Sequence, residues 1–275
     1  MIRLGYTESQ LLFYYYLDKN NLLDKNLYSD RQNNLINWLY STSGFYDKTI
    51  SGSYFDFDAN YIKQTKIYNE YFEKVLGILK NIDCKIQFNF HDHDVKYIPL
   101  NINEQFYNYL NYHNKVSKYP DILSFMSNKK ILIINNLSPL MKQQYNSGNI
   151  KKICSGFPDD VKEILCFENG YTFLNNGPLE NILDSYRKLC NKIKRLDFDG
   201  VIISAGAYSS LLAGYISKRL KKEVYCCGGE LPNYFGIKTV RAEMHSKHLI
   251  NEYWIPVPEH MKPANYKKIE DGCYW

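Results

Sequence analysis

The second half of the chain alternates short, uninterrupted apolar runs with segments of helical periodicity, and few folds accommodate that order. The apolar runs, each a predicted strand, cover residues 131–135, 164–168, 200–205 and 224–227. Predicted helices over residues 137–145, 178–196 and 208–220 lie between them. A strand that is apolar on both faces needs cover on both faces, which a parallel sheet with helical connections receives. We therefore predict an α/β fold with a Rossmann-like, mostly parallel sheet and helices on both faces.

The first half of the chain carries weaker signals and is predicted to be partly helical. Residues 2–5 predict the end of a strand and residues 85–90 a further strand, while helices are expected over residues 9–17, 67–81 and 105–119. Thr7 and Gln10 have the spacing of a helix capping box. Gly, Ser, Asp and Pro cluster in residues 41–60 and 91–103, which predicts loops. The 275 residues contain no internal repeat and no low-complexity linker, so we expect a single domain with a sub-boundary near residue 120.

The charge and the cysteine content limit the kinds of binding partner and the cellular compartment that we expect. The net charge of +5 is spread along the chain, so we expect no nucleic-acid patch and no polybasic membrane anchor. The seven cysteines lack the paired spacing of a zinc site, and no apolar stretch reaches the length of a membrane span. We therefore expect a cytoplasmic protein without a membrane span. The high usage of Tyr, Asn, Ile and Lys is typical of an AT-rich genome and favours a viral source, which would place the protein in the host cytoplasm.

Two turns that follow predicted strands are candidate ligand-binding segments, because doubly wound sheets bind ligands beyond the carboxyl ends of their strands. Small residues between Ser204 and Tyr208, namely Ala205, Gly206 and Ala207, would let backbone N–H groups approach a phosphate. The same residues are equally typical of close packing between a helix and a strand.

The second turn contains paired glycines, Gly228 and Gly229, followed by Glu230. Paired glycines permit close approach of a ligand, and they are also common in tight bends. Glu230 is a candidate base or ribose partner, although a solvated carboxylate is the more common role for such a residue.

Two further segments carry groups suited to phosphate or metal binding. Arg3, Gly5 and Glu8 surround the predicted start of the first helix, where an arginine pairs with pyrophosphate and a carboxylate with a metal or an acceptor hydroxyl. A glutamate in a first helical turn also has an ordinary role opposite the helix dipole. The run His91-Asp92-His93-Asp94 would place both histidines on one side of a continuing strand, as in a metal site, or would form a hydrated loop.

Several of these segments resemble the GT-D-fold glycosyltransferases. The opening Met1-Ile2-Arg3-Leu4-Gly5-Tyr6-Thr7-Glu8 is similar to their Arg-x-Gly-Asp-Gly-Glu motif, and residues 199–208 with Gly228-Gly229 resemble their second half. Bacterial and giant-virus members of this type share further landmarks, which here are Gln144-Tyr145, residues 234–237, residues 252–256 and the terminal Gly272-Cys273-Tyr274-Trp275. The resemblance covers nearly the whole chain, although residues 47–120 match only in length.

The resemblance implies transfer of a sugar from a nucleotide-sugar donor to a glycan or other acceptor, near a divalent metal such as Mn²⁺ or Mg²⁺. Position by position, Arg3 and Gly5 match the phosphate side of the family's site and Glu8 matches the second acid of its Asp-x-Glu pair. Glu8 is therefore the candidate metal ligand and the first candidate base, with Glu230 in reserve. Tyr6 stands where the first acid is expected, and a single carboxylate holds a hard cation poorly. Weak metal use, metal-independent transfer and loss of catalysis all remain open.

Other function classes predict different behaviour. The missing first acid also suits a non-catalytic nucleotide-sugar-binding protein, which would bind the donor without turnover. A Rossmann-type methyltransferase is compatible with the turn at residues 204–209, but it needs a small-residue loop after the first strand, and the best glycine turn here comes late in the chain. A structural virion or scaffold protein would leave the glycine turns unexplained.

Overall fold

The apolar runs of the second half form a parallel sheet. A computed structural model describes residues 2–22, 25–50, 59–81, 86–87, 100–110 and 121–275. The strands of this part, in chain order, are β1 (Ile2–Arg3), β2 (Ile86–Gln87), β3 (Lys130–Ile134), β4 (Glu163–Phe167), β5 (Gly200–Ile203), β6 (Glu223–Cys226), β7 (Ile237–Lys238) and β8 (Ile255–Pro256). The central sheet has the order β4-β3-β5-β6 with every pair parallel, while β1 pairs with β2 and β7 with β8. The predicted α/β class and its parallel sheet are confirmed.

Helices connect and cover these strands. They are α1 (Tyr6–Lys19), α2 (Lys25–Ser41), α3 (Ala59–Gln64), α4 (Lys66–Asn81), α5 (Leu100–Tyr109), α6 (Ile122–Met126), α7 (Ser138–Asn146), α8 (Ile150–Ile153), α9 (Ile182–Ile193), α10 (Tyr208–Tyr215) and α11 (Val240–His245). A wider π-helical turn, Ile216–Leu220, continues α10, and short 3₁₀ turns occupy much of the C-terminal segment. None of the helices in the described ranges is both long and apolar enough to cross a membrane.

Alternate residues of the central strands belong to two separate hydrophobic cores. Leu132 and Ile134 of β3 pack with the buried residues of α1, α2, α4, α9 and α10, whereas Ile131 and Ile133 pack with α6, α7 and the C-terminal segment. Successive side chains of a strand point to opposite faces, so the sheet is covered on both sides. The first core joins residues from both halves of the chain, from Ile2 to Cys226.

The structure corrects several details in the first half. The predicted capping box of Thr7 and Gln10 is wrong. Helix α1 begins at Tyr6, with Gly5 as its extended N-cap residue, so Thr7 lies buried inside the first turn of the helix. Helix α2 was not predicted, and α3 and α5 begin at Ala59 and Leu100, inside the predicted loops. The predicted segments 88–90, 91–99 and 111–119 lie outside the described residues.

Candidate functional site

A cavity of about 540 Å³ lies at the carboxyl ends of the central strands. Residues that directly follow β1, β3, β5 and β6 line it, among them Leu4, Asn135, Ser204 and Cys227. The sheet order places β4 and β5 on opposite sides of β3, although they follow it consecutively in the chain. Such a change of direction leaves a crevice at the strand ends, where ligands of open α/β sheets bind.

Most of the predicted site residues meet in this cavity. Eight of the ten line it, namely Arg3, Gly5, Glu8, Ser204, Gly206, Tyr208, Gly228 and Gly229. The other two do not: Ala207 is 1% exposed and belongs to the first core, and Glu230 is an exposed side chain outside the lining.

The turn at residues 204–209 uses most of its backbone donors within the protein. The N–H groups of five residues donate to internal acceptors: Ser204 to Ile134 O, Ala205 to Ser209 Oγ, Ala207 to Ser43 O, Tyr208 to Ala205 O, and Ser209 to Gly206 O. Gly206 has φ +52°, and a Cβ built on it would lie 2.3 Å from Ser43 O. The glycine is thus required both by its left-handed backbone and by the approach of the loop around Ser43. The turn offers a phosphate fewer amides than its sequence indicated.

The paired glycines after β6 face two arginine side chains, and we call this group the cationic end of the cavity. A Cβ built on Gly228 would lie 3.3 Å from Arg3 Nη1, and one built on Gly229 would lie 3.6 Å from Arg241 Cδ. Within the described residues, neither Arg3 nor Arg241 forms an ion pair with a carboxylate. Both arginine side chains line the cavity, each beside one of the two consecutive glycines. Guanidinium groups so arranged favour an anion with several oxygen atoms.

A second group, which we call the acidic end, consists of Glu8, Glu270 and Ser43, which line the same cavity. The two names mark the charge of each group, since the groups meet at Tyr274: its hydroxyl donates to Glu270 Oε2 at 2.9 Å, and the Arg241 guanidinium lies 5.8 Å from its ring centroid. Burial raises the pKa of the Glu8 carboxyl above its ordinary value, the negative charge of Glu270 raises it further, and hydrogen bonds from the Glu8 backbone and the Ser43 hydroxyl oppose the shift. The Glu8 carboxyl folds back over Gly5, where an added Cβ would collide with Oε2 at 2.2 Å. A carboxyl group held this way is a stronger base than an exposed one once it is ionised.

Aromatic and amide side chains form a further part of the wall. Trp275 Nε1 donates to Tyr171 Oη at 3.0 Å, and both rings line the cavity together with Tyr274. Asn136 Oδ1 accepts a hydrogen bond from Gly170 N at 2.8 Å, which fixes the loop after β4 against the end of β3. Trp275 is thus both a buried anchor, 5% exposed, and part of the cavity wall.

Three residues of the site were not predicted from the sequence: Ser43, Arg241 and Glu270. Arg241 reaches the cavity from the start of α11, where its backbone N–H donates to Cys273 O at 2.8 Å. Glu270 lies in a 3₁₀ turn and accepts a hydrogen bond from Tyr274 Oη at 2.9 Å. Neither residue lies in a segment with a periodic pattern, so only the packing of the C-terminal segment brings them to the site.

The predicted His91–Asp94 cluster lies outside the described residues. Among the residues that are described, no group of three or more His, Cys, Asp or Glu side chains could together hold a metal ion.

Comparisons with protein-family models, with curated proteins and with solved structures found no match.

Proposed function

We propose that this chain is a Rossmann-like, single-domain glycosyltransferase that binds a nucleotide-sugar and transfers the sugar to a glycan acceptor. The observation that carries the proposal is the pairing of the cationic end and the acidic end in one cavity at the carboxyl ends of parallel strands. Sugar transfer needs both functions, since a diphosphate must be held as it leaves and an acceptor hydroxyl must lose its proton.

The cationic end suits the diphosphate of the donor. Arg3 and Arg241 offer several N–H donors in a fixed plane and lack a competing carboxylate partner within the described residues. Negative charge grows on the diphosphate as the bond to the sugar breaks, so cations placed there stabilise the transition state more than the ground state.

The acidic end suits proton transfer from the acceptor. In an inverting reaction the acceptor oxygen forms a bond to the anomeric carbon while the bond to the diphosphate oxygen breaks. The electron pair of that bond leaves with the diphosphate, and the acceptor proton passes to the Glu8 carboxylate. The raised pKa of Glu8 brings its basicity closer to neutral pH, which favours this role. Glu230 is outside the cavity lining and has no part in the proposal.

The two carboxylates of the acidic end suit a divalent cation that also contacts the substrate diphosphate. Mg²⁺ is commonly held by one or two carboxylates together with substrate phosphates, and Glu8 and Glu270 are two carboxylates on one cavity. These two residues would hold the ion, which would neutralise charge on the leaving diphosphate. Glu270 would then replace the acid that Tyr6 displaces from the family motif.

A thermal-shift screen tests the proposal. Purified protein is heated with UDP-, GDP-, CMP- and dTDP-sugars and with S-adenosylmethionine, each with and without Mn²⁺, and donor hydrolysis is then measured for any ligand that stabilises the protein. A ligand at about 100 times its Kd stabilises the folded state by about 2.7 kcal/mol, which for a chain of this size raises Tm by several degrees. A shift with one nucleotide-sugar followed by turnover is the expected result. Stabilisation without turnover would identify a binding protein, and a shift with S-adenosylmethionine alone would identify a methyltransferase; either outcome removes the proposal.

A further inference from the structure

A second cavity, of about 340 Å³, opens beside the main one. Its walls come from residues 171 and 173–176, which follow β4, and from parts of residues 263–269 in the C-terminal segment. Tyr171 and Phe173 line both cavities. A ligand in the second cavity would thus lie next to the main cavity without occupying the cationic end.

The lining of this second cavity has the chemistry of a site for an uncharged, hydroxyl-rich ligand. It contains no carboxylate and a single cation, Lys268, among the residues that the structure describes. Asn176 and Asn265 are exposed, and their side-chain amides make no hydrogen bond within the described part of the chain. An amide offers a donor and an acceptor side by side, which matches a pair of neighbouring hydroxyl groups. Tyr171 and Phe173 add the apolar ring surface typical of small-molecule sites.

The wall that carries these groups is held in one geometry. Leu174 and Asn175 have φ values of +59° and +56°, a left-handed conformation that leucine rarely adopts. Leu174 N donates to Tyr40 O at 3.0 Å, and Asn175 Oδ1 accepts from Asp47 N at 2.9 Å. These bonds fix the turn against the first half of the chain, so the position of Asn176 is set before any ligand binds. A preformed site loses less conformational freedom on binding.

We infer that the second cavity binds the saccharide acceptor, with the reacting end of the acceptor passing over Tyr171 and Phe173 into the main cavity. This inference rests on the proposed sugar transfer and adds to it the acceptor class, a neutral oligosaccharide, and its location. The lining carries little charge and suits a neutral ligand, whereas the cationic end would hold the anionic donor.

The double variant Asn176→Ala/Asn265→Gly tests the inference, because both side chains are exposed and glycine tolerates the left-handed backbone of Asn265, φ +60°. Asn191→Ala, an exposed residue on α9, is the matched control. Chitotetraose, maltotetraose and mannotetraose are titrated against each protein by calorimetry in the absence of donor. For at least one of these probes we expect a Kd that is about tenfold weaker in the double variant and unchanged in the control, as two lost hydrogen bonds predict.

Measurements of nucleotide-sugar binding distinguish failure of the acceptor site from failure of the proposed function. Binding of a tetrasaccharide that is unaffected by the double variant, or no binding of any of the three to the wild-type protein, would overturn the acceptor site even if a nucleotide-sugar still stabilises the protein. A protein that binds a tetrasaccharide in the second cavity but no nucleotide-sugar would retain the saccharide site and lose the transferase proposal. An acceptor KM that rises in the double variant, with donor KM constant, supports both.

Discussion

The two ends of the main cavity carry charges of opposite sign, and at one of them burial acts on the charged group. At the cationic end, Arg3 and Arg241 are half-buried side chains that line the cavity. At the acidic end, the carboxyl of Glu8 is withdrawn from water and lies near Glu270, and both effects disfavour its ionised form. The ionised Glu8 carboxyl therefore destabilises the folded protein at the acidic end.

The difference indicates that the two ends serve different steps, donor binding and proton transfer. Cations that line a cavity beside paired glycines suit binding, whereas a carboxyl group with a raised pKa suits proton transfer. Substitutions at the acidic end are then expected to change turnover and stability, and substitutions at the cationic end to change donor affinity.

The largest effect should come from Glu8→Gln. The amide cannot accept the acceptor proton, and removal of a general base typically lowers turnover by about 10²- to 10⁴-fold. Donor affinity measured without a divalent cation should stay close to that of the wild type, because the cationic end is unchanged. Steady-state kinetics with the donor found in the thermal-shift screen measure both quantities. Glu230→Gln removes an exposed carboxylate outside the cavity and serves as the control; equal losses in the two variants would contradict the role of Glu8.

The next effect should come from Arg241→Gln. Loss of charge-assisted hydrogen bonds to the diphosphate should weaken binding of the nucleoside diphosphate by about 10- to 100-fold, with Arg241→Lys intermediate because lysine keeps the charge but not the planar fork. Calorimetric titration with UDP and with GDP measures the change. Arg195→Gln, on an exposed residue, alters the net charge equally. A similar loss of affinity in that control would mean that the general positive field, and not the cationic end, attracts the anion.

A third prediction concerns the contact that positions Ser43 beside Glu8. Gly206→Ala introduces a Cβ into a left-handed backbone and against Ser43 O, while Gly148→Ala meets the same kind of backbone, φ +76°, with no heavy atom within 4 Å. The control should lower the free energy of unfolding by about 1–2 kcal/mol, and Gly206→Ala by about 2–4 kcal/mol because of the added collision. Urea unfolding measures both. Equal losses would show that the loop around Ser43 moves away without cost, and the acidic end would then be less rigid than the structure indicates.

The fold of the second half was predictable from sequence because its strands are buried on both faces. Residues 131–135 were predicted as a strand, and Lys130–Ile134 form one, since a continuous apolar run of this length has few alternatives. Helix α2 escaped prediction because it is rich in Asn and Tyr and lacks a clear apolar stripe, so its formation depends on packing by residues such as Leu35, Ile36 and Leu39.

The site was predictable only where it lies at strand ends. Gly228 lies just beyond the end of a recognisable strand. Ligands bind beyond the carboxyl ends of parallel strands, so its position alone predicts a site residue. Arg241 and Glu270 come from short helical turns whose positions depend on contacts such as that between Arg241 N and Cys273 O. No local pattern encodes such contacts, and the position of the second cation and the second carboxylate could not be derived from the sequence.

The smallest predicted effect tests whether the destabilising group lies at the acidic end. In the unfolded chain a glutamate has its ordinary pKa, 4.5, and burial raises the pKa of Glu8 in the folded protein. Below the ordinary value both states hold the proton, so ionisation has no effect on stability. As the pH rises above it, the unfolded state loses the proton first, and the folded state becomes less stable relative to the unfolded one until the pH exceeds the raised value. A glutamine side chain cannot ionise, so Glu8→Gln should match the wild-type Tm near about pH 4 and exceed it by about 1–4 °C near about pH 8. Differential scanning calorimetry across this range measures the difference, and a Tm gain that is the same at both pH values would place the stability effect in packing instead of in the ionisation of Glu8.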